Sequence, residues 1–203
     1  MPSSRRPDTG SSDLTAKARI RNAALALYAD FGEDATSMRA IAEKAGVTVG
    51  LVVHHYGTKD GLREAIEQRI VELFAEAIDA AADSDDPRSV AGPRDAAVAS
   101  MLEENPAVVG YLRRAVLDPT GNRGRVLEML TDLTAEQVAS LRTAGLASTA
   151  HADSTQVIGV LVRQLGHLFL QPMVESTWAR LAPHSPGSAM PRLVIRVVEP
   201  DDL

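Results

Sequence analysis

The sequence predicts an all-helical protein, and three observations carry that expectation. Apolar residues recur at helical spacing along most of its 203 residues. Gly32, Gly46, Gly57, Pro106, Pro119 and Gly145 punctuate those stretches. Only the last twenty residues contain a β-prone run, Leu193-Val194-Ile195-Arg196-Val197-Val198.

Residues 1–12 are Ser, Pro, Gly and Arg with almost nothing apolar and are expected to form a disordered arm. From Leu14 the pattern changes, with Ile20, Ala24, Leu27, Tyr28 and Phe31 marking one face of a first helix that Gly32 ends. Thr36 or Ser37 supplies an oxygen to cap a short second helix with Met38, Ile41, Ala42 and Ala45 on its buried side, stopped by Gly46. Val47 follows as an apolar plug, Thr48 is a second cap, and Val49 to Tyr56 forms a third short helix before Gly57. Two short helices three residues apart, with small Ala42 and Ala45 at the crossing and Gly46 free to take a positive φ, make a helix-turn-helix.

A fourth helix runs from Thr58 through Leu62, Ile66, Ile70, Leu73, Phe74, Ala77 and Ile78 to about Ala82. Residues 83–93 combine charge, proline and glycine and are expected to be a loop. Further helices are expected near 94–103, 105–117, 122–144 and 153–180, punctuated at Asn105-Pro106, residues 118–121 and Gly145. Residues 154–170 are apolar on most faces, which implies a central helix or a subunit interface. The domain expectation is therefore a helix-turn-helix head at 13–59, a helical body at 60–182, and a tail at 183–203 that is a strand, a short helix or a segment ordered against a partner.

The chain has no cysteine, which excludes disulfides, thiolate metal sites and a cysteine nucleophile, and fits a reducing cytoplasm. No apolar run approaches the roughly 20 residues that span a bilayer, and the N-terminus does not read as a secretory signal, so no membrane association is expected. The net charge of -6 is unevenly spread: residues 1–63 hold nine basic and seven acidic groups, and the rest hold 12 and 20. A slightly basic head on an acidic body suits contact with a polyanion through the head alone.

Residues 36–62, TSMRAIAEKAGVTVGLVVHHYGTKDGL, resemble the DNA-binding signature of the TetR family of bacterial regulators, in caps, small residues, turn glycine, closing aromatic and following lysine. The amides at the start of the third helix, capped by Thr48, suit phosphate, while Val49, Gly50 and Val53 present small or apolar groups to base edges such as a thymine methyl. An arginine such as Arg39 can pair bidentately with guanine, and Lys59 suits a phosphate clamp. The resemblance implies a DNA-contacting set of Ser37, Arg39, Thr48, Val49, Gly50, Val53, His54, His55 and Lys59. Two departures stand out. Val53 replaces the tyrosine usual in the family, removing a backbone contact, and Gly61 replaces the Glu or Gln of a capping box with Thr58, which predicts a looser start to the fourth helix.

The resemblance further implies a homodimer on palindromic double-stranded DNA, released by a small-molecule effector held in the body. Polar or aromatic residues within apolar helical stretches, Tyr111, Met129, Gln164, His167 and Trp178, are the candidate effector contacts. No cofactor or metal is expected: His54 and His55 diverge by about 100° on a helix and cannot share an ion. Two other functions compete, a constitutive DNA-binding dimer and an enzyme using the helical cavity. The second lacks a Ser-His-Asp set, a phosphate-cradling glycine loop or a Glu-x-x-His helix.

Overall fold

The computed structural model describes residues 9–81, 91–117, 125–184, 187–191 and 193–199. Eight α-helices account for most of them: α1 (Thr9–Phe31), α2 (Met38–Ala45), α3 (Val49–Tyr56), α4 (Lys59–Ala80), α5 (Ala91–Glu104), α6 (Pro106–Leu117), α7 (Arg125–Thr143) and α8 (Asp153–Leu181). No strand occurs among the described residues.

Two boundaries differ from the sequence expectation. α1 begins at Thr9, so residues 9–12 of the expected arm are helical, and residues 1–8 lie outside the described residues. A helix already nucleated further along gains one hydrogen bond for each residue added, which carries it through a polar N-terminal stretch. α5 begins at Ala91 rather than at residue 94, with Pro93 in its first turn, where the missing N–H costs no helical hydrogen bond.

Packing divides the chain into two units, and the division falls after Ile70 rather than after Lys59. The first unit joins the described chain up to Ile70 with α6, because α6 returns to pack on α1. Gly110 makes that crossing close: a Cβ there would stand 2.9 Å from the Ala29 Cβ. Arg114 of α6 then donates from Nε to the Ala29 carbonyl at 2.8 Å and from Nη2 to the Asp30 carbonyl at 2.6 Å, satisfying carbonyls left open at the end of α1. Ile20, Tyr28, Ile41, Val52, Leu62, Ile66, Ile70 and Leu112 are buried in this unit, each contributing roughly 1.5–3 kcal/mol on burial. Phe31, expected on the buried face of α1, is instead exposed at the helix end.

The second unit contains α4 from Val71 onward, α5, α7, α8 and the tail, with α8 packed against α7 and α5. Arg142 near the end of α7 organises the turn into α8: its guanidinium donates to the carbonyls of Ser148 and His151 and to Gln156 Oε1, and pairs with Asp153. Only Val157 and Leu165 of α8 are buried, so within one chain α8 is not the central helix its composition suggests. By length and composition alone it is apolar enough to cross a membrane, which qualifies the expectation from uninterrupted apolar runs. In this fold it lies along α7, with Arg163 held by Asp95 of α5 at 2.9 Å.

The tail is a 3-10 turn at Ala182–His184 followed by an extended strap over residues 193–199, without strand pairing. The strap runs back along α8. Ile195 fills the space left by the missing side chain of Gly166, and Glu199 Oε1 accepts from the Ala152 amide at 3.1 Å. Ala152 offers no side-chain cap of its own, so Glu199 caps α8 from 47 positions away. Those hydrogen bonds, from the Ala152 amide and the Thr155 hydroxyl, hold the Glu199 carboxyl below its ordinary pKa, helped by nearby His151.

Candidate nucleic-acid interface

The α2–α3 unit is shaped by local chemistry. Ser37 caps α2 by accepting from the Ala40 amide at 3.1 Å, while the buried Thr36 hydroxyl donates to the Gly32 carbonyl at 2.7 Å. The turn then reverses at Gly46, whose φ of 66° lies in the left-handed region, and the Val47 amide reaches back to the Ala42 carbonyl at 3.0 Å. Thr48 caps α3 by accepting from Leu51 at 3.3 Å. The Val49 and Gly50 amides, in the first turn, have no carbonyl within the helix to bond and remain available to an acceptor.

α3 has one inward side and one outward side. Val52 is fully buried, and Leu51, His55 and Tyr56 are half-buried beside it. Val49, Val53, Gly50 and His54, neighbours in that order round the helix, form an exposed arc. His55, expected beside His54, falls off this arc, and its Nε2 is buried. The far end of α3 is fixed to α1: the Tyr56 hydroxyl donates to the Lys17 carbonyl at 2.7 Å, and the Lys17 ammonium stands 5.9 Å from the Tyr56 ring centroid. Burial raises the Tyr56 pKa, so the phenol stays protonated and able to donate.

Arg39 is exposed in the first turn of α2, and Lys59 is half-buried as the first residue of α4. The start of α4 is not loosened by Gly61. Thr58 Oγ1 accepts from the Gly61 amide at 3.1 Å, completing the cap without a Glu or Gln. A Cβ at position 61 would collide with the Tyr56 carbonyl, so the glycine permits the tight passage from α3 to α4.

A buried polar network not foreseen from the sequence lies in the same unit. Glu67 of α4 is 1% exposed, and its Oε1 accepts from the Tyr111 hydroxyl of α6 at 2.9 Å. Arg63 reaches Glu67 at 3.8 Å, Glu33 at 3.5 Å and Asp60 at 3.3 Å. Burial, with the field of Glu67 added, pushes the Tyr111 phenol well above its ordinary pKa. Burial also raises Glu33, against the opposing pull of Arg63. The Arg63 guanidinium is pulled down by burial, but Asp60, Glu67 and Glu33 more than offset this and raise it. The signal available in the sequence was the i, i+4 spacing of Arg63 and Glu67 beside the apolar Ile66 and Ile70.

The second unit contains a cavity of about 80 Å³. Phe74, Ile78, Leu130 and Leu165 supply apolar wall, and Asp95, Arg163 and Gln164 form a polar end. Arg163 binds Asp95 through two nitrogens, at 2.9 and 3.2 Å, and Gln164 Nε2 donates to Asp95 Oδ1 at 3.2 Å. Of the five candidate effector contacts only Gln164 lines this cavity. Met129, His167 and Trp178 lie on α7 and α8 away from it, and Tyr111 belongs to the first unit.

This geometry defines a helix-turn-helix protein, with a second short helix presenting a bare outward arc and a separate helical unit. Residues 20–66 match the family described as bacterial regulatory proteins, tetR family. Over 77 residues the chain is 47% identical to the HTH-type transcriptional regulatory protein RaaS of Mycobacterium tuberculosis; the match covers 38% of this chain and only 36% of that protein. The fold is similar to that of a tetR family transcription regulator from Shewanella sp. PV-4, with TM-score 0.65 and 22% identity over 83% of this chain and 90% of that one. It is likewise similar to the TetR family regulator PfmR from Thermus thermophilus, with TM-score 0.57 and 22% identity over 74% and 84%. Residues 20–66 are thus a helix-turn-helix of the tetR family, and the chain as a whole is similar in fold to regulators of that family.

Proposed function

We propose that the protein is a homodimeric, sequence-specific repressor that leaves a palindromic operator when its helical body takes up a small molecule. The observation that carries DNA reading is the outward arc of α3. A helix eight residues long buries one side through Val52 and keeps Val49, Gly50, Val53 and His54 clear of the rest of the chain. Its free first-turn amides, with Ser37, Thr48 and Lys59 nearby in sequence, suit the phosphate backbone, and Arg39 suits a base edge or phosphate. A mobility-shift titration on DNA from the protein's own promoter region, repeated at several salt concentrations, tests this reading. Sequence-preferring binding that weakens steeply with salt supports it, and salt-insensitive or absent binding overturns it.

Dimerisation is supported by α8, whose Ile158, Val162, Leu170 and Met173 remain exposed among the described residues and form an apolar surface. The cavity supports an effector with an aliphatic body and a polar group directed at Asp95, Arg163 and Gln164. At about 80 Å³ it is well below the roughly 300–1,000 Å³ of ordinary ligand pockets, so uptake of a drug-sized molecule requires the surrounding helices to move apart. That movement is what a ligand needs in order to favour one state over another and so lower DNA affinity, and operator DNA must then weaken the ligand equally. The enzyme alternative has no comparable support, since the relatives are regulators; a cytoplasmic location follows from the regulatory role.

A further inference from the structure

The outward arc of α3 is unusual in what it lacks. Its two side chains on one flank are both valine, Val49 at 40% and Val53 at 47% exposure, and neither can give or take a hydrogen bond. At the middle of the arc stands Gly50, which nothing in the fold requires. Its backbone is not left-handed, and the nearest atom to an added Cβ is the Thr48 hydroxyl at an ordinary 3.9 Å. A glycine inside a helix weakens it relative to alanine. Gly61, by contrast, is required by the Tyr56 carbonyl. The absence of a side chain at position 50 therefore serves whatever approaches α3 from outside.

We propose, resting on the DNA-binding reading above, that α3 recognises thymine through its C5-methyl group, with Val49 and Val53 forming the contact and Gly50 setting the point of closest approach. The two valines are four residues apart and so stand one above the other on a single face of the helix. Of the groups that base pairs present in the major groove, the thymine methyl is the apolar one; guanine, adenine and cytosine offer nitrogens, oxygens and amino groups there. A valine laid on any of those removes a polar group from water and returns no hydrogen bond, which disfavours the wrong base as much as methyl burial favours the right one. His54, on the other flank of the arc, is left for a polar neighbour of that thymine.

The test uses the full-length protein. Binding sites are first selected from a random duplex library, and each thymine of the selected half-site is then replaced singly by uracil, which keeps every hydrogen-bonding group and removes only the methyl. The expected result is about a four-fold loss of affinity for each methyl buried against a valine, at one or two positions in each half-site. That loss shrinks toward none in the double variant Val49→Ala, Val53→Ala, whose helix content is checked by circular dichroism. Gly50→Ala is expected to leave the melting temperature unchanged or raised while binding falls at least ten-fold. Uracil substitution without effect at every position, a methyl effect that persists in the double alanine variant, or Gly50→Ala binding as wild type overturns the proposal while DNA binding stands. A library with no enriched sequence overturns the DNA-binding reading and this inference with it.

Discussion

In the unit made of α1–α3, the start of α4 and α6, the large apolar side chains Ile20, Tyr28, Ile41, Leu62 and Leu112 are almost wholly buried within one chain, and so is a charged residue, Glu67. In the other unit the longest helix, α8, buries Val157 and Leu165 and leaves Ile158, Val162, Leu170 and Met173 exposed. The difference is one of completeness. The first unit closes its own core, and of its exposed apolar residues Val49 and Val53 lie on the face of α3 proposed to meet DNA. The second exposes a long apolar helix of the kind that a second copy would cover.

The strongest way to break this comparison is to charge the exposed face of α8. Ile158→Glu with Val162→Glu is expected to convert a dimer to a monomer, with a loss of at least a hundred-fold in association measured by sedimentation, while helix content is retained. An unchanged mass would mean that this face of α8 does not hold two copies together. Next is the self-contained unit. Tyr111→Phe deletes the donor to a buried carboxylate and is expected to cost about 1–3 kcal/mol in denaturant unfolding. A change within error would mean that water replaces the phenol at Glu67.

Lys59→Ala sharpens the same comparison from the DNA side. It is expected to weaken binding to all duplexes and to reduce the slope of log affinity against log salt by about one. Arg39→Ala should in addition blur sequence preference in a binding-site selection. The smallest effect is expected at the strap. The Glu199 carboxyl has a lowered pKa in the fold, so its stabilisation is present above the ordinary carboxylate pKa and is lost as pH falls through the lowered value. Wild type should therefore melt above Glu199→Gln near neutral pH, and the gap should close in acid; a gap constant with pH would remove the capping role.

Much of the first unit was legible because its signals are local. Ser37 and Thr48 cap, Gly46 turns left-handed, and Ile41, Ala42 and Ala45 face inward, all within a few residues of one another. The role of Gly61 is not legible in the sequence, because its reason is a backbone carbonyl five residues earlier, brought near only once the turn from α3 to α4 has formed. His54 and His55 look equivalent in sequence, and one step of helical rotation separates an exposed ring from one whose Nε2 is buried. Tyr111 is a polar aromatic in an apolar helix, and its partner is Glu67, 44 residues away.

By itself, then, the sequence determined the helical class, the helix-turn-helix with its caps and turn, and the bare composition of α3, because each depends on spacings of one to four residues. Only the tertiary structure decided that α6 belongs with α1, that Glu67 is buried, that Asp95 and Arg163 meet at the cavity, and that Glu199 caps α8. Those contacts join positions separated by 44 to 85 residues, and no local pattern specifies which of many possible partners a helix will meet.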